Sequence, residues 1–315
     1  MERRVIATTT WFSIEWKIIQ SMSLFSPDTA KSILRKTGLY HTTRAAYHTA
    51  LATYRLIQLI HLYGPFGLSE DDIAQIKNGL ALLEPCSVEG IKKIRMGAEY
   101  DCGFVMLNDF AGISKALSLG IGHDVSWDLA IAKRGITVLQ FDHSINMAPV
   151  SHKLCKFRRQ KIVAGPASNA SEISIPDILY EHKIGSAEDL LLKIDIEGAE
   201  WEIFFAIDDR ILSRFRQIIC EFHAFYRIGQ TAWRRRMLRV FEKLTKNHCV
   251  VHVHGNNCGK LVHIGDVTLP EVLEITFVRR KDYYIRESDE QFPTELDRPN
   301  NPGAPDIFLG NFKFK

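Results

Sequence analysis

The sequence predicts an α/β protein with a Rossmann-like sheet of seven strands, mostly parallel, flanked by helices and closed by a terminal antiparallel hairpin. Three observations predict this fold. Short apolar runs alternate with helical patterns from about Ile94 onward, a glycine turn joins one such run to a helix, and no helical pattern separates the last two runs. Strands that alternate with helices form parallel βαβ units, whereas strands joined only by a loop form hairpins.

The predicted strands and helices follow the changes of hydrophobic periodicity along the chain. In chain order, the strands are KALSLGI (115–121), ITVLQFD (136–142), KIVAG (161–165), DLLLKIDI (189–196), QIICEF (217–222), VVHVHG (250–255) and LEITFVR (273–279). The helices cover 126–133, 175–180, 199–207 and 232–245. The segment GNNCGKLVHIGDVTLP and the Pro-rich tail FPTELDRPNNPGAPD are predicted loops.

The N-terminal segment, residues 1–92, is predicted to be helical, and residues 93–315 are predicted to form the main domain. Apolar spacing predicts a helix over 42–63. A second helix is expected after Ser69, which starts a near capping box, and it runs to about Leu83. This segment could be a cap, a dimerisation element or simply a part packed on the main domain.

Composition sets limits on the partners. The 315 residues are 46% hydrophobic and 24% charged, an ordinary balance for a globular protein, and the net charge is only +3. The basic runs Arg158–Lys161 and Thr231–Arg239 are interpreted as a solvated loop and a solvated helix face. We therefore expect no nucleic-acid partner, although a protein or RNA acceptor stays open.

Six scattered cysteines without a CxxC pair suit free thiols in a reducing compartment, so we expect a cytoplasmic protein. The first twenty residues lack the apolar core and cleavage site of a signal peptide. No apolar run reaches the length of a membrane span.

The segment ALSLGIGHDVSWDLAIAKRG carries the clearest cofactor signal. Gly120 and Gly122 lie between a strand and a helix that starts near Ser126, so the backbone can approach a ligand beside free N–H groups. Asp124 stands near the third glycine position of dinucleotide-binding loops, which favours a sulfonium or ammonium ligand over a pyrophosphate. The alternative is a plain tight turn.

Two further acids follow predicted strands. Asp142 lies twenty residues beyond Gly122, where an acid can accept both hydroxyls of an adenosine ribose, although it could also be a helix cap. In DLLLKIDIEGAEWEIF, the strand carries Asp195 and Glu197 to the carboxyl edge of the sheet. Glu200 follows in the first helical turn, where the helix dipole favours an acid.

The segment LKIDIEGAEWEIF resembles the hallmark of FkbM-type methyltransferases. The likeness extends to GAEYDCGFVMLNDF, LSLGIGHDVSWDLAIAKRG, QFDHS, ICEFH, VHVHGNN, GDVTLPEVLEITFVRR and the tail FPTELDRPNNP, and therefore covers most of the chain from about Arg95. Cys102 departs from it, because a second glycine is expected there.

This resemblance implies a class I methyltransferase that uses S-adenosyl-L-methionine, usually to methylate a hydroxyl oxygen. Its acceptors are often sugars, glycolipids or secondary metabolites, so a small-molecule or glycan acceptor is the expected partner. Gly120, Gly122, Asp124, Asp142 and Asp195 are then the candidate cofactor-binding residues.

A hydroxyl nucleophile must lose a proton, so the reaction needs a positioned base. Asp195 is the first candidate, as base or as ligand of the cofactor amine, followed by Glu197 and His223. The alternatives are a helix cap for Asp195, a cap or bridge for Glu197 and Glu200, and a hydrogen-bonded structural role for His223.

His252 and His254 alternate on one face of a strand and Asn256 follows, so these three are candidate substrate-binding residues. The two histidines could bind a metal with Asp266 or Asp195, but the sequence offers no closed ligand set, and no metal is expected.

Two other function classes compete. A nicotinamide-dependent oxidoreductase would carry a third glycine in the loop and lack the terminal hairpin, and the sequence departs from both features. A catalytically inactive cofactor- or partner-binding domain would have lost the glycine loop, Asp142 or Asp195, and all three are intact.

Overall fold

A seven-stranded sheet organises residues 67–314, the part of the chain that the computed structural model describes. These residues belong to one compact unit, Leu62–Lys315. The predicted helix over 42–63 lies outside the described residues, and the predicted domain boundary after residue 92 stays a prediction.

Six α-helices and fifteen strands occur among the described residues. The helices are α1 (Glu70–Ala81), α2 (Ser126–Ala132), α3 (Ile175–Glu181), α4 (Glu200–Ala206), α5 (Asp209–Leu212) and α6 (Thr231–Asn247). The strands are β1 (Cys86–Val88), β2 (Lys93–Gly97), β3 (Gly103–Leu107), β4 (Lys115–Leu119), β5 (Thr137–Phe141), β6 (Cys155–Arg158), β7 (Lys161–Ile162), β8 (Glu172–Ile173), β9 (Leu190–Ile194), β10 (Phe215–Phe222), β11 (His248–Gly255), β12 (Leu261–Ile264), β13 (Val267–Pro270), β14 (Leu273–Arg279) and β15 (Ile285–Glu287).

The main sheet has the strand order β11-β14-β10-β9-β4-β5-β6. The neighbours from β10 to β6 are parallel, whereas β14 is antiparallel to both β10 and β11. The last strand of the predicted hairpin is therefore inserted between β10 and β11. This arrangement confirms the predicted Rossmann-like, mostly parallel sheet with a terminal antiparallel hairpin.

The central strand β9 shows why the sheet is covered on both faces. Leu190, Leu192 and Ile194 pack into a core that includes α3, α4 and α6, whereas Leu191 packs into a second core with α2, β2 and β3. A parallel strand buried on both faces is expected to be apolar throughout, and Lys193 is the single exception in β9.

Two predictions about regular structure are wrong. The predicted strand KIVAG is not in the main sheet: its position is taken by the edge strand β6, whose side chains alternate between half-buried and exposed, so that it lacks an apolar run. Of KIVAG, only Lys161–Ile162 is extended, paired with β8. The predicted loop after β11 contains the hairpin β12–β13, which turns at Gly265-Asp266.

Helix α1 confirms the predicted helix after Ser69. The Ser69 side chain accepts the N–H of Asp72, and the Asp72 carboxylate accepts the N–H of Ser69, so the capping box is complete. Ile76 and Leu80 are fully buried, and Asp72 also pairs with Arg234 of α6. None of the helices within 67–314 combines the length and apolar character needed to cross a membrane.

The tail after β15 is irregular, as predicted, and returns to the sheet. Phe292 forms a bridge with Gly310, and the Asn257 amide donates to the carbonyls of Asn301, Ala304 and Pro305. A loop side chain thus holds the tail near the carboxyl end of β11.

Asp189 ties three strands of the sheet at their opposite end. Its carboxylate accepts hydrogen bonds from Arg279 (2.8 Å) and Arg216 (2.6 Å). The hydrogen bond from Arg279, and then that from Arg216, outweigh burial and lower the Asp189 pKa to about 2. A lowered pKa adds stability above the unfolded-chain value, and this stability is lost as pH falls through the folded-state value.

Asp189→Asn is therefore expected to lower the free energy of unfolding at neutral pH. The difference from the wild type should shrink as pH falls from about 4 towards about 2, because the wild-type carboxylate then becomes protonated. Urea unfolding at several pH values measures this difference, with Asp289→Asn, on a side chain that is 97% exposed, as a surface control. A difference that stays constant over this range would contradict the assignment.

Candidate cofactor and catalytic site

The register of three parallel strands brings the predicted site residues together. Leu119 at the end of β4 lies opposite Phe141 of β5 and Ile194 of β9. The next residues, Gly120, Asp142 and Asp195, therefore leave the sheet side by side at its carboxyl edge. This is the edge where ligands bind in open α/β sheets.

The glycine turn needs glycine at Gly120 for a specific reason. Its φ is +77°, and a Cβ atom there would lie 1.7 Å from the backbone oxygen of Asp195. Gly122 also has a positive φ, +49°, but no atom lies within 4 Å of the position of its Cβ. The turn is thus packed tightly against β9 at Gly120 and open at Gly122.

Asp142 fastens this turn. Its Oδ2 accepts the N–H groups of Ile121 (3.0 Å) and Gly122 (2.9 Å), and its Oδ1 accepts the N–H and hydroxyl of Ser144, both at 2.7 Å. Partial burial opposes ionisation, but these hydrogen bonds outweigh it and lower the Asp142 pKa. Ribose binding by Asp142 stays a prediction, and the contacts described here show a role in holding the loop.

Asp124 lies at the start of the helix that follows. Its Oδ1 accepts the N–H of Ser126 at 2.7 Å, and the side chain is exposed. The carboxylate therefore supports the first turn of α2, close to the glycine turn, and its predicted contact with the cofactor stays a prediction.

Lys193 lies beneath the turn and was not predicted as a site residue. Its Nζ donates to the carbonyl of Gly120 at 2.8 Å and lies 3.8 Å from Asp195 Oδ2. Burial opposes the charge, but Asp195 and Asp128 outweigh it and raise the Lys193 pKa. The signal was present in the sequence, because a lysine inside the apolar run LLLKI must be buried with partners.

His223, directly after β10, is surrounded by carboxylates. Glu200 is fully buried, and its Oε1 accepts the backbone N–H of His223 at 2.7 Å. The same oxygen lies 3.2 Å from Nδ1 of the His223 ring. On the other side of the ring, Nε2 lies 3.4 Å from Glu221 Oε1, 3.5 Å from Glu197 Oε2 and 4.0 Å from Asp195 Oδ1. We call His223, Asp195, Glu197 and Glu221 the His223 cluster.

The charges of this cluster change the pKa values of its members. Burial opposes protonation of His223, but Glu200 and Glu221 outweigh it and raise the His223 pKa to about 11. Burial raises the Glu221 pKa to about 7, although His223 opposes this shift. Burial also raises the Asp195 pKa against the opposing charges of Lys193 and His223.

Glu197 and Glu200 are three residues apart but differ sharply in the exposure of their side chains. Glu197 has a φ of +57°, which is rare for a side chain other than glycine, and its side chain is 88% exposed. Glu200 bridges two loops, because it accepts the N–H of Gly198 through Oε2 and that of His223 through Oε1. The bridging alternative for Glu200 is therefore the one observed.

Glu221 and Asn256 extend the cluster towards β11. Asn256 donates to Glu221 Oε1 at 3.1 Å and accepts the N–H of Cys258 at 2.9 Å. Glu221 was not predicted, although it lies two residues before His223 and hence near the same strand end. Asn256 therefore lies beside the cluster, and its role in substrate binding stays a prediction.

His252 and His254 are buried and hold the tail. His252 Nε2 lies 2.8 Å from Asp297 Oδ1. His254 lies between Glu274 (3.1 Å) and Asp306 (3.1 Å). Their contacts are those of tail-fastening residues, and their role in substrate binding stays a prediction.

The β2–β3 loop lies over the start of α2. A Cβ atom on Gly97 would come within 3.3 Å of Ser126 Oγ, so this loop approaches the helix closely. Cys102, where the family resemblance led us to expect glycine, has a φ of +62°. A left-handed backbone explains why glycine suits this position. Burial raises the Cys102 pKa to about 12, which disfavours a reactive thiolate.

Trp127 and Trp201 are core residues. Both are almost fully buried. Trp201 also donates to the carbonyl of His223 at 2.8 Å and packs 5.0 Å from Trp233, ring to ring. The core beneath α4 thus supports the turn that carries His223.

Comparison with known proteins identifies the central part of the chain. Residues 112–251 match the family model described as the methyltransferase FkbM domain. These residues form an FkbM methyltransferase domain. The match contains the glycine turn, Asp142, Asp195 and His223, and so confirms the family resemblance found in the sequence. Comparison with curated protein sequences gives no match.

Solved structures with similarity to this chain include two of low identity. One is a putative S-adenosylmethionine-dependent methyltransferase from Listeria monocytogenes, with 12% identity and a TM-score of 0.30, covering 55% of this chain and 94% of that one. The other is the fibrillarin pre-rRNA processing protein of Methanococcus jannaschii, with 12% identity and a TM-score of 0.31, covering 61% and 84%. The fold assignment rests on strand order and direction, not on these similarities.

Proposed function

We propose that this FkbM protein transfers a methyl group from S-adenosyl-L-methionine to a hydroxyl of a sugar, glycolipid or secondary metabolite. The observation that carries the proposal is the convergence of Gly120, Asp142 and Asp195 at one sheet edge within the FkbM domain. The acceptor class is taken from the family resemblance. A cytoplasmic location, suited to six free cysteines, is part of the same proposal.

The residues at this edge fit an adenosyl sulfonium. Gly122 leaves open space at the turn, where a ligand can approach the backbone closely. The buried Ser126 hydroxyl, at the start of α2, has no hydrogen-bond partner among residues 67–314. Buried polar groups normally have partners, so this hydroxyl supports a polar ligand at this place.

The charge of the site also fits a positive ligand. Asp195, Glu197 and Glu221 lie on one side of the sheet edge, beside the glycine turn. A site lined by carboxylates attracts cations and repels phosphates and carboxylates. It therefore favours a sulfonium cofactor and a neutral, hydroxyl-bearing acceptor.

Asp195 is the proposed base at the reaction centre. When bound, S-adenosyl-L-methionine supplies a methyl group on a sulfonium, and the electrons of the broken carbon–sulfur bond stay on sulfur. Asp195 Oδ1 and Oδ2 accept no hydrogen bond among residues 67–314, and the side chain is 23% exposed. Asp195 can thus accept the proton of the acceptor hydroxyl as its oxygen bonds to the methyl carbon. Lys193 and His223 orient Asp195.

Calorimetry tests the cofactor and the role of Asp142. We expect the wild type to bind S-adenosyl-L-methionine and not NADH. Asp142→Ala should weaken that binding about 10- to 100-fold, because it removes charge-assisted hydrogen bonds that hold the glycine turn. Asp208→Ala, which removes the cap of α5, is the matched control and should bind like the wild type.

The competing functions give other results. Binding of NADH but not of S-adenosyl-L-methionine would replace the proposal with an oxidoreductase. Binding of S-adenosyl-L-methionine without a gain of one methyl group on any hydroxylated acceptor, measured by mass spectrometry across a panel, would favour a catalytically inactive cofactor-binding domain.

A further inference from the structure

We propose that the His223 cluster binds one divalent metal ion through His223 Nε2 and the carboxylates of Asp195, Glu197 and Glu221. One ligand atom each from Asp195, Glu197 and His223 lies within 4.8 Å of the others. The proposal adds a metal ion to the site described above. The sequence alone offered no closed ligand set, so no metal was expected from it.

The spacing around His223 Nε2 suits a common metal ion. Ligand atoms on a tetrahedral ion with bonds near 2.1 Å lie about 3.4 Å apart. Nε2 lies 3.4 Å from Glu221 Oε1, 3.5 Å from Glu197 Oε2 and 4.0 Å from Asp195 Oδ1. Small side-chain rotations would therefore bring Asp195, Glu197 and His223 around one ion, and Glu221, beside Nε2, is the proposed fourth ligand.

The imidazole is already oriented as a metal ligand. Metal-bound histidines usually donate their other ring N–H to a carboxylate, which sets the tautomer and the ring plane. His223 Nδ1 lies 3.2 Å from Glu200 Oε1, and Glu200 itself is fully buried and fixed by the N–H groups of Gly198 and His223. Nε2 is consequently the nitrogen that faces the three carboxylates.

Glu221 supplies an independent indication of a ligand. The residue is only 8% exposed, and Asn256 donates to its Oε1. Its other oxygen, Oε2, accepts no hydrogen bond among residues 67–314. A cation bound at the cluster would give this oxygen a partner.

The formal charges agree with a divalent ion. The cluster and Glu200 contain four carboxylates. Metal binding displaces the proton from His223 Nε2 and leaves the imidazole neutral, so the cation that remains beside the cluster is Lys193, 3.8 Å from Asp195. This excess of negative charge favours a divalent cation over a monovalent one. A ligand set of one imidazole and several carboxylates suits Mn²⁺ or Zn²⁺ better than a thiolate-seeking metal.

The function of such an ion rests on the proposed methyl transfer. A metal ion at Asp195 could bind the acceptor hydroxyl, orient it and lower its pKa, so that the proton leaves more readily. The metal would then explain why three carboxylates meet at one sheet edge where one base would suffice.

Metal binding can be measured without cofactor or acceptor. The full-length protein is stripped with a chelator and titrated with Mn²⁺ alone, followed by electron paramagnetic resonance, and with Zn²⁺ alone, followed by calorimetry. We expect one ion per chain. His223→Gln and Glu221→Gln should each weaken binding at least about tenfold. Glu197→Gln, on an exposed side chain, should weaken it without affecting folding.

The controls separate this proposal from misfolding and from the proposed function. His263→Gln, in the β12–β13 hairpin, should bind metal like the wild type, and circular dichroism checks that each variant is folded. Failure of the wild type to bind Mn²⁺ or Zn²⁺, or unchanged affinity in folded Glu197→Gln, would overturn the proposal. S-adenosyl-L-methionine binding by the metal-free protein is measured separately. A failure of metal binding can therefore be distinguished from a failure of the proposed methyltransferase function.

Discussion

Asp195→Asn is expected to lower turnover by about 10²- to 10⁴-fold, the range for loss of a positioned base. The substitution keeps the size of the side chain but removes its charge and its ability to accept a proton. Cofactor affinity should change much less, because Gly120, Gly122 and Asp142 are untouched. Steady-state methylation assays, together with calorimetry of S-adenosyl-L-methionine binding, measure both quantities.

The control for this prediction is Asp209→Asn, which alters an exposed carboxylate that pairs with Lys246 far along the chain. Its turnover should equal that of the wild type. Full activity of Asp195→Asn would remove Asp195 from the mechanism. Mn²⁺ titration of the same variant then distinguishes two roles of Asp195. If Asp195 is a metal ligand, the substitution lowers both metal affinity and turnover. If it is only a base, the substitution lowers turnover alone.

Gly120→Ala is expected to abolish measurable cofactor binding and to destabilise the fold. Its Cβ would lie 1.7 Å from the Asp195 backbone oxygen, so β4 or β9 must move at the edge that carries the site. The positive φ adds about 1–2 kcal/mol of backbone strain for an L-residue. Urea unfolding and calorimetry with S-adenosyl-L-methionine measure the two effects.

Gly135→Ala measures the effect of backbone strain without the steric clash that is expected at Gly120. Gly135 has a φ of +82°, close to that of Gly120, but no atom lies within 4 Å of the position of its Cβ. It should therefore lose stability through the backbone alone and keep cofactor binding. Equal stability and equal affinity in the two variants would show that the contact between Gly120 and Asp195 is not needed.

Much of the site could be predicted because it follows from local sequence and strand direction. An apolar strand, a glycine turn and a helix can be recognised within about twenty residues. Parallel strands end at one edge of a sheet, so Gly120, Asp142 and Asp195 could be expected to meet before any coordinates were known. Their convergence did not depend on the exact packing of side chains.

Other parts depended on contacts between distant segments. His252 and His254 alternate along β11 as expected, but the partners they face come from the tail, at Asp297 and Asp306. Periodicity describes the face on which a side chain lies and not the segment that covers it. The edge strand β6 was missed for a related reason, since one exposed face leaves it without an apolar run.

The amino-acid order determined the strand and helix types, the glycine turn and the family resemblance, because each depends on neighbours in the chain. Only the tertiary structure decided that His223 meets Asp195, Glu197, Glu200 and Glu221 around one ring. That meeting requires β9 and β10 to pair in register, and it requires α4 to bring Glu200 beneath the ring. Distances between such side chains are set by packing, which no periodicity in the sequence specifies.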